Sequence, residues 1–163
     1  HLIHTKEVNH ESLCLMADAE DLTFKNKCFD LITALEIIEH LEHPRRMLEE
    51  IRRVSKLNAT IIISTPNILS LTSASGFLYK ALRARRWTAW NSTHRKLYSS
   101  YGFKSVLEDY FSVEKMIGYS YFPASMRLRL SGLFDRLKYA HLNGPLASMF
   151  GFDIVAKCRC RGV

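Results

Sequence analysis

The sequence predicts an α/β fold built on an open parallel sheet, and two apolar runs with an amphipathic segment between them carry that prediction. The first run, Phe29 to Leu35, leads into Glu36, Glu39 and His40. The second, Thr60-Ile61-Ile62-Ile63-Ser64, ends in Thr65-Pro66-Asn67. Strand, helix, strand, with polar groups gathered where the strands end, is the grammar of an open parallel sheet. A chain of 163 residues is enough for one domain with a real core and too short for two comfortable ones.

His1–Ser12 is polar, without periodicity, and reads as a residual linker. Leu13–Ala17 is a short apolar run, consistent with a buried strand, followed by a polar turn at Asp18–Leu22 and a second turn at Lys25–Lys27. Phe29–Leu35 is the next strand. Pro44 suits a first helical turn, where its missing N–H costs nothing. Met47, Leu48, Ile51 and Val54 then recur at helical spacing, with Arg45, Arg46, Glu49, Glu50, Arg52 and Arg53 on the other faces. Asn58, which tolerates the left-handed conformation, is expected to end this unit. Thr60–Ser64 is β-branched and apolar, as in a central strand.

Beyond Ser75 the pattern predicts a helix over Gly76–Arg86, a loop over Trp87–His94 and a helix over Tyr98–Tyr110. Tyr98, Tyr101, Val106, Leu107 and Tyr110 are the candidate anchors of that last helix. Phe111–Tyr121 alternates like a strand, and Met126–Tyr139 is a basic amphipathic helix within a helical insertion over 126–150. Phe152–Lys157 is a final short strand. A hydrophobic fraction of 47% and a charged fraction of 24% are those of an ordinary globular protein. No apolar run approaches the roughly 20 residues that span a bilayer. Cys14, Cys28, Cys158 and Cys160 lack zinc-site spacing, so free thiols in a reducing compartment are expected, and with them a cytoplasmic location.

The net charge of +7 is unevenly spread: Ile51 to Leu107 contains no acidic residue but ten lysines and arginines. Such asymmetry points to an anionic partner (nucleic acid, a phosphorylated substrate or membrane headgroups), or else to a solvated basic face.

Several of these pieces, in their order and spacing, resemble the middle of a class I S-adenosylmethionine-dependent methyltransferase. They are Ala17-Asp18-Ala19-Glu20-Asp21-Leu22, Phe29-Asp30-Leu31-Ile32, Glu39-His40-Leu41, His43-Pro44 and Ile63-Ser64-Thr65-Pro66-Asn67. Thr93-His94-Arg95 and Phe152-Asp153-Ile154-Val155-Ala156-Lys157 also fit, so the resemblance runs from Ala17 to Lys157. It implies a Rossmann-like methyltransferase sheet and S-adenosylmethionine as cofactor. The family's glycine-rich loop is not found, since the glycines never form G-x-G, and no acidic residue fits the ribose position. Leu57-Asn58-Ala59 stands where the family has Pro-Gly-Gly. The expectation is therefore a single partial domain over 1–163, N-terminally truncated, without the first strand and the second. Its fourth strand would be an open edge, to be completed by the missing segment or another chain.

The resemblance also implies roles. Asp18 would accept the adenine amino group with Ala19 alongside, unless Asp18 merely caps its turn; Leu35 would complete the cofactor contacts. Glu39 and His40 would face the acceptor as catalytic residues. Glu36-Ile37-Ile38-Glu39-His40 is similar to the metal-binding motif of two branches, the ubiquinone-pathway catechol O-methyltransferases and the small-RNA 3′-terminal 2′-O-methyltransferases. Glu36, Glu39, His40 and His94 would then hold Mg2+ or Mn2+ and polarise the acceptor hydroxyl. If the chain turned helical at Glu36, the first three would share a face. Members without metal also carry Glu-His here. The basic stretch 80–96, with Trp87 and Trp90, would meet RNA or, together with the helix 126–139, a membrane surface to which the protein would be peripheral. The function expected is O-methyl transfer to a small-molecule, glycan, lipid or RNA hydroxyl. A non-catalytic binding or scaffold module is the alternative.

Overall fold

The computed structural model describes residues 15–70, 95–119 and 151–161. Within them the chain forms β1 (Phe29–Leu35), a 3-10 turn (Ile38–His40), α1 (Pro44–Val54), β2 (Ser55–Pro66), α2 (Ser100–Glu108), β3 (Phe111–Tyr119) and β4 (Asp153–Cys160). The sheet order is β1-β2-β4-β3. β1 and β2 are parallel, as the intervening helix requires, whereas β4 runs antiparallel to both β2 and β3. The predicted helices 76–86 and 126–139, the loop 87–94 and His94 lie outside the described residues.

α1 forms where the periodicity places it. Pro44 occupies its first turn, and Met47, Leu48, Ile51 and Val54 are its buried stripe. Its last turn closes on Ser55, whose hydroxyl and backbone N–H both donate to the Ile51 carbonyl. Met47, Leu48 and Ile51 of the stripe join Ala34 of β1, Ile61 and Ile63 of β2, and Ile154, Ala156 and Cys158 of β4 in one core. Phe103 and Leu107 of α2 and Phe111 of β3 complete it. Ser99 caps α2, its hydroxyl accepting the Gly102 N–H at 3.1 Å.

Four details differ from the sequence reading. Asn58 does take a left-handed conformation, φ 63°, but in a bulge rather than at the helix end. Phe29 pairs with Ser55 and Leu31 already with Thr60, so the extra residues of β2 loop out there. Leu15–Ala17 forms no strand: Leu15 is 62% and Met16 91% exposed, because no described segment offers them a ladder. Tyr101 is not an anchor; at 84% exposure it lies on the outer side of α2, while Tyr98 is buried. β4 extends through Cys160, since Cys158 and Cys160 alternate inward with Ile154 and Ala156. Both cysteines are free, as is exposed Cys28. Burial pushes the Cys158 thiol up to about 12, which keeps it protonated and unreactive.

Among the described residues β1 pairs with β2 alone, leaving Leu31 and Leu35 more than half exposed. A groove of 330 Å³ runs along this side, lined by Leu22, Phe24, Phe29, Leu31, Met47 and Ile51.

Arg53, near the end of α1, holds the irregular segment before β1. Its guanidinium donates to the carbonyls of Leu22 (2.7 Å) and Phe24 (2.8 Å), to Asn26 Oδ1 (2.7 Å), and to both oxygens of Glu50. Glu50 in turn accepts the Leu22 N–H, and the hydrogen bonds from Arg53 hold its carboxyl below the usual range. The backbone N–H groups of Lys27 and Cys28 donate to the carbonyls of Arg53 and Val54. Arg53→Ala is therefore expected to speed amide exchange at Leu22 while β2 stays protected; unchanged exchange at Leu22 contradicts this bracing role. Ile61→Ala, a fully buried truncation in the middle of the sheet, is expected to cost about 2–5 kcal/mol in urea unfolding.

Candidate active site

The polar ends of β1 and β2 lie side by side because the strands are parallel and in register at Leu35 and Ser64. β1 stops at Glu36, which adopts φ 53°, a left-handed conformation unusual for a side chain of its size. Ser64 fixes it there: the hydroxyl accepts the Glu36 N–H at 3.0 Å and donates to Glu36 Oε1 at 2.5 Å. The 3-10 turn then buries Glu39, whose side chain is 1% exposed, and leaves His40 at the surface. Thr65 Oγ1 donates to Glu39 Oε2 at 3.3 Å. Glu39 Oε1 is buried without a hydrogen-bond partner, and His40 Nε2 stands 3.6 Å from it.

This geometry changes one expectation. Glu36, Glu39 and His40 do not share a helical face, because the left-handed turn at Glu36 breaks the run before the 3-10 turn begins. Among the described residues no group of three His, Cys, Asp or Glu side chains is placed to hold a metal ion. The metal set Glu36, Glu39 and His40 is thus not assembled, and its fourth member, His94, falls outside the described residues.

Asp18 does cap its own turn: Oδ1 accepts the Glu20 N–H at 2.9 Å, and its carbonyl accepts the N–H of Asp21. The cap engages one carboxylate oxygen, and the residue is exposed. Glu20 ties this turn to the start of α1 by accepting the His43 N–H at 2.8 Å. Ala19 is half-buried against the core, and Leu35 is 56% exposed at the end of β1.

Two site residues escaped the sequence reading. Asn67 is fully buried; its N–H donates to the Phe152 carbonyl at 2.7 Å and its Nδ2 to the Gly151 carbonyl at 3.0 Å. Asn67 also bridges to Tyr98, and the Tyr98 carbonyl accepts the Ile68 N–H. Asp153 is the other. As first residue of an antiparallel strand it pairs with Pro66, at the end where β1 and β2 finish. Burial and then the charges of Glu36 and Glu39 push its carboxyl up to about 7. Tyr98 is pushed upward as well, by burial and by Glu39. The backbone N–H groups of Arg95 and Lys96 close the site's flank by donating to the Glu39 carbonyl.

A family model described as a methyltransferase domain matches residues 3–63. The chain is 29% identical over 114 residues to a mouse (Mus musculus) protein named ubiquinone biosynthesis O-methyltransferase, mitochondrial, covering 69% of this chain and 30% of that one. It is 36% identical over 66 residues to an uncharacterised protein of Methanocaldococcus jannaschii, covering 40% of this chain and 31% of that one. The matches thus span about a third of the length of these relatives. Among solved structures, a SAM-dependent methyltransferase from Thermotoga maritima, described as a possible histamine N-methyltransferase, aligns with a TM-score of 0.66 at 18% identity. It covers 89% of this chain and 62% of that one, and shows the same fold. The chain thus has the Rossmann-like methyltransferase fold, and its residues 3–63 match the methyltransferase-domain model.

Proposed function

We propose that this chain serves an S-adenosylmethionine-dependent methyltransferase that alkylates a hydroxyl group. The observation that carries the reading is the meeting of Leu35, Glu36 and the Glu39–His40 pair with Ser64 and Thr65 at the carboxyl ends of two parallel strands, where open α/β sheets bind ligands. The donor set fits the cofactor: Asp18 keeps one carboxylate oxygen for the adenine amino group, and half-buried Ala19 offers an apolar surface for the ring. Bound, the cofactor supplies an electrophilic methyl carbon on a sulfonium sulfur.

The chain's own residues would position the acceptor and take its proton. Glu39, held by Thr65, sets a negative charge behind His40 Nε2, so the exposed imidazole is favoured as the acceptor of the hydroxyl proton. In-line placement of acceptor oxygen against methyl carbon supplies much of the rate. The relative named an O-methyltransferase supports a hydroxyl acceptor. An anionic acceptor, RNA or lipid-bearing, rests on the basic stretch 80–96. Of that stretch the structure describes Arg95, paired with Glu42, and Lys96. Among the described residues no helix is long and apolar enough to cross a membrane. A scaffold role is the second reading, favoured by the edge of β1 that no strand covers among the described residues.

Calorimetry on the full-length protein separates the two. The enzyme reading predicts S-adenosylmethionine binding that Asp18→Ala weakens roughly 10–100-fold, the scale of a hydrogen bond to a charged group. No binding by the full-length protein would leave the scaffold role.

Asp153 gives a pH test. Its folded-state value of about 7 exceeds its ordinary 3.8, so the folded protein holds this proton more tightly than the unfolded chain. The contribution to stability is complete below the ordinary value and is lost as pH rises through about 7. D153N should therefore raise Tm at pH 8 and change it little at pH 4; an equal shift at both contradicts the rise that burial, with the two glutamates, imposes on this carboxyl.

A further inference from the structure

We infer that the end of the sheet opposite the candidate active site docks on an anionic membrane surface. Leu57 enters the headgroup layer there, and Lys25, Lys27, Arg52 and Arg161 meet lipid phosphates. The inference is independent of whether the chain binds S-adenosylmethionine.

Residues 56–59 loop out of the ladder at this end, because Phe29 pairs with Ser55 and Leu31 already with Thr60. Lys56, Leu57 and Asn58 face solvent, and Leu57 is 63% exposed. The protrusion is braced: Arg159, itself held by Glu114, donates to the Asn58 carbonyl at 3.0 Å. Separate segments bring cations to it. The Lys27 N–H donates to the Arg53 carbonyl at 3.0 Å, which sets the Lys25–Lys27 turn against the last turn of α1, where Arg52 lies. Cys160 Sγ lies 4.0 Å from the Arg52 carbonyl, so Arg161, next along the chain, shares this rim. Asp30, Glu50 and Glu114 are taken by Lys56, Arg53 and Arg159. Glu108 and Asp109, at the end of α2, pair with Lys104 and Arg45. Among the described residues Lys25, Lys27, Arg52 and Arg161 make no ion pair. Ser70, Arg95, Tyr119 and Gly151, which border segments 71–94 and 120–150, all lie at the other end of the sheet.

A basic rim alone needs no partner, since cations near the end of α1 offset its dipole and are well solvated. Leu57 separates the two readings. A solvated rim gains nothing from an exposed leucine on a braced protrusion, whereas an anionic membrane engages both the leucine and the cations around it. Lipid phosphates attract cations that come within a Debye length, and each such cation strengthens partition about fivefold. A leucine side chain that leaves water for the acyl boundary adds roughly tenfold. A phosphodiester chain such as RNA would meet the same cations but leave Leu57 in water.

The test is flotation of the full-length protein with vesicles of phosphatidylcholine alone and of phosphatidylcholine mixed with phosphatidylserine, at low and raised salt. The protein is expected to float with the anionic vesicles and to lose them as salt rises. Leu57→Ser, which leaves the charge unchanged, should weaken that binding roughly tenfold. Lys27→Glu and Arg161→Glu should each weaken it by at least about fivefold. All of these side chains are exposed, so the variants keep the fold. No flotation with anionic vesicles, equal flotation with neutral ones, or binding that survives every one of these substitutions overturns the inference. Retention on single-stranded RNA that falls with Arg161→Glu but not with Leu57→Ser, without vesicle binding, assigns the rim to nucleic acid and overturns it as well.

Discussion

The site depends on how the end of β2 is satisfied. Asn67 is an amide sealed from water, and each of its polar groups would be expensive if left alone. Its N–H and Nδ2 bind the two carbonyls that lead into β4, its Oδ1 accepts the Leu69 N–H, and its carbonyl accepts the Ser70 N–H. The bridge to Tyr98 adds the segment that enters α2. One residue thus fixes where β2 stops, where β4 starts and where the chain before α2 passes. With those three set, Ser64, Thr65 and Pro66 meet Glu36, Glu39 and Asp153.

A second constraint works from the other side of α1. Over its described residues 15–28, the segment before β1 has no regular structure beyond one isolated bridge, so its position comes from Arg53, Glu50 and Glu20. These contacts carry the Asp18 turn to the side where β1 ends. The same arrangement leaves the apolar groove and the free edge of β1 uncovered among the described residues. The two regions therefore have different supports: a buried amide for the carboxyl cluster, and a guanidinium network for the Asp18 turn.

What was legible in the sequence is what short-range pattern encodes. Met47, Leu48, Ile51 and Val54 announce one face of a helix, and Ile61 and Ile63 announce a buried strand, because period alone selects those positions. Glu39 and His40 were visible as polar groups after an apolar run, and Asp18 through its resemblance to the family's turn. Asp153 was hidden, since it acquires its neighbours only through antiparallel pairing across more than eighty residues of chain. Asn67 stood in a quoted motif, yet nothing in the motif says it is buried. The left-handed turn at Glu36 runs against the residue's own preference and follows from Ser64, a partner 28 residues away. The bulge at Asn58 shows the intermediate case, where the conformation was readable and the place was not.

The central claim is the proposed one, that the donor binds at the carboxyl ends of β1 and β2, beside Glu39 and His40. The most direct measurement is amide hydrogen exchange of the full-length protein with and without S-adenosylmethionine. The account predicts that the donor slows exchange at Asp18–Glu20, at Glu36–His40 and around Asp153, with little change along the outer strand β3. Protection confined to β3 and α2, with Glu36–His40 unaffected, would contradict it.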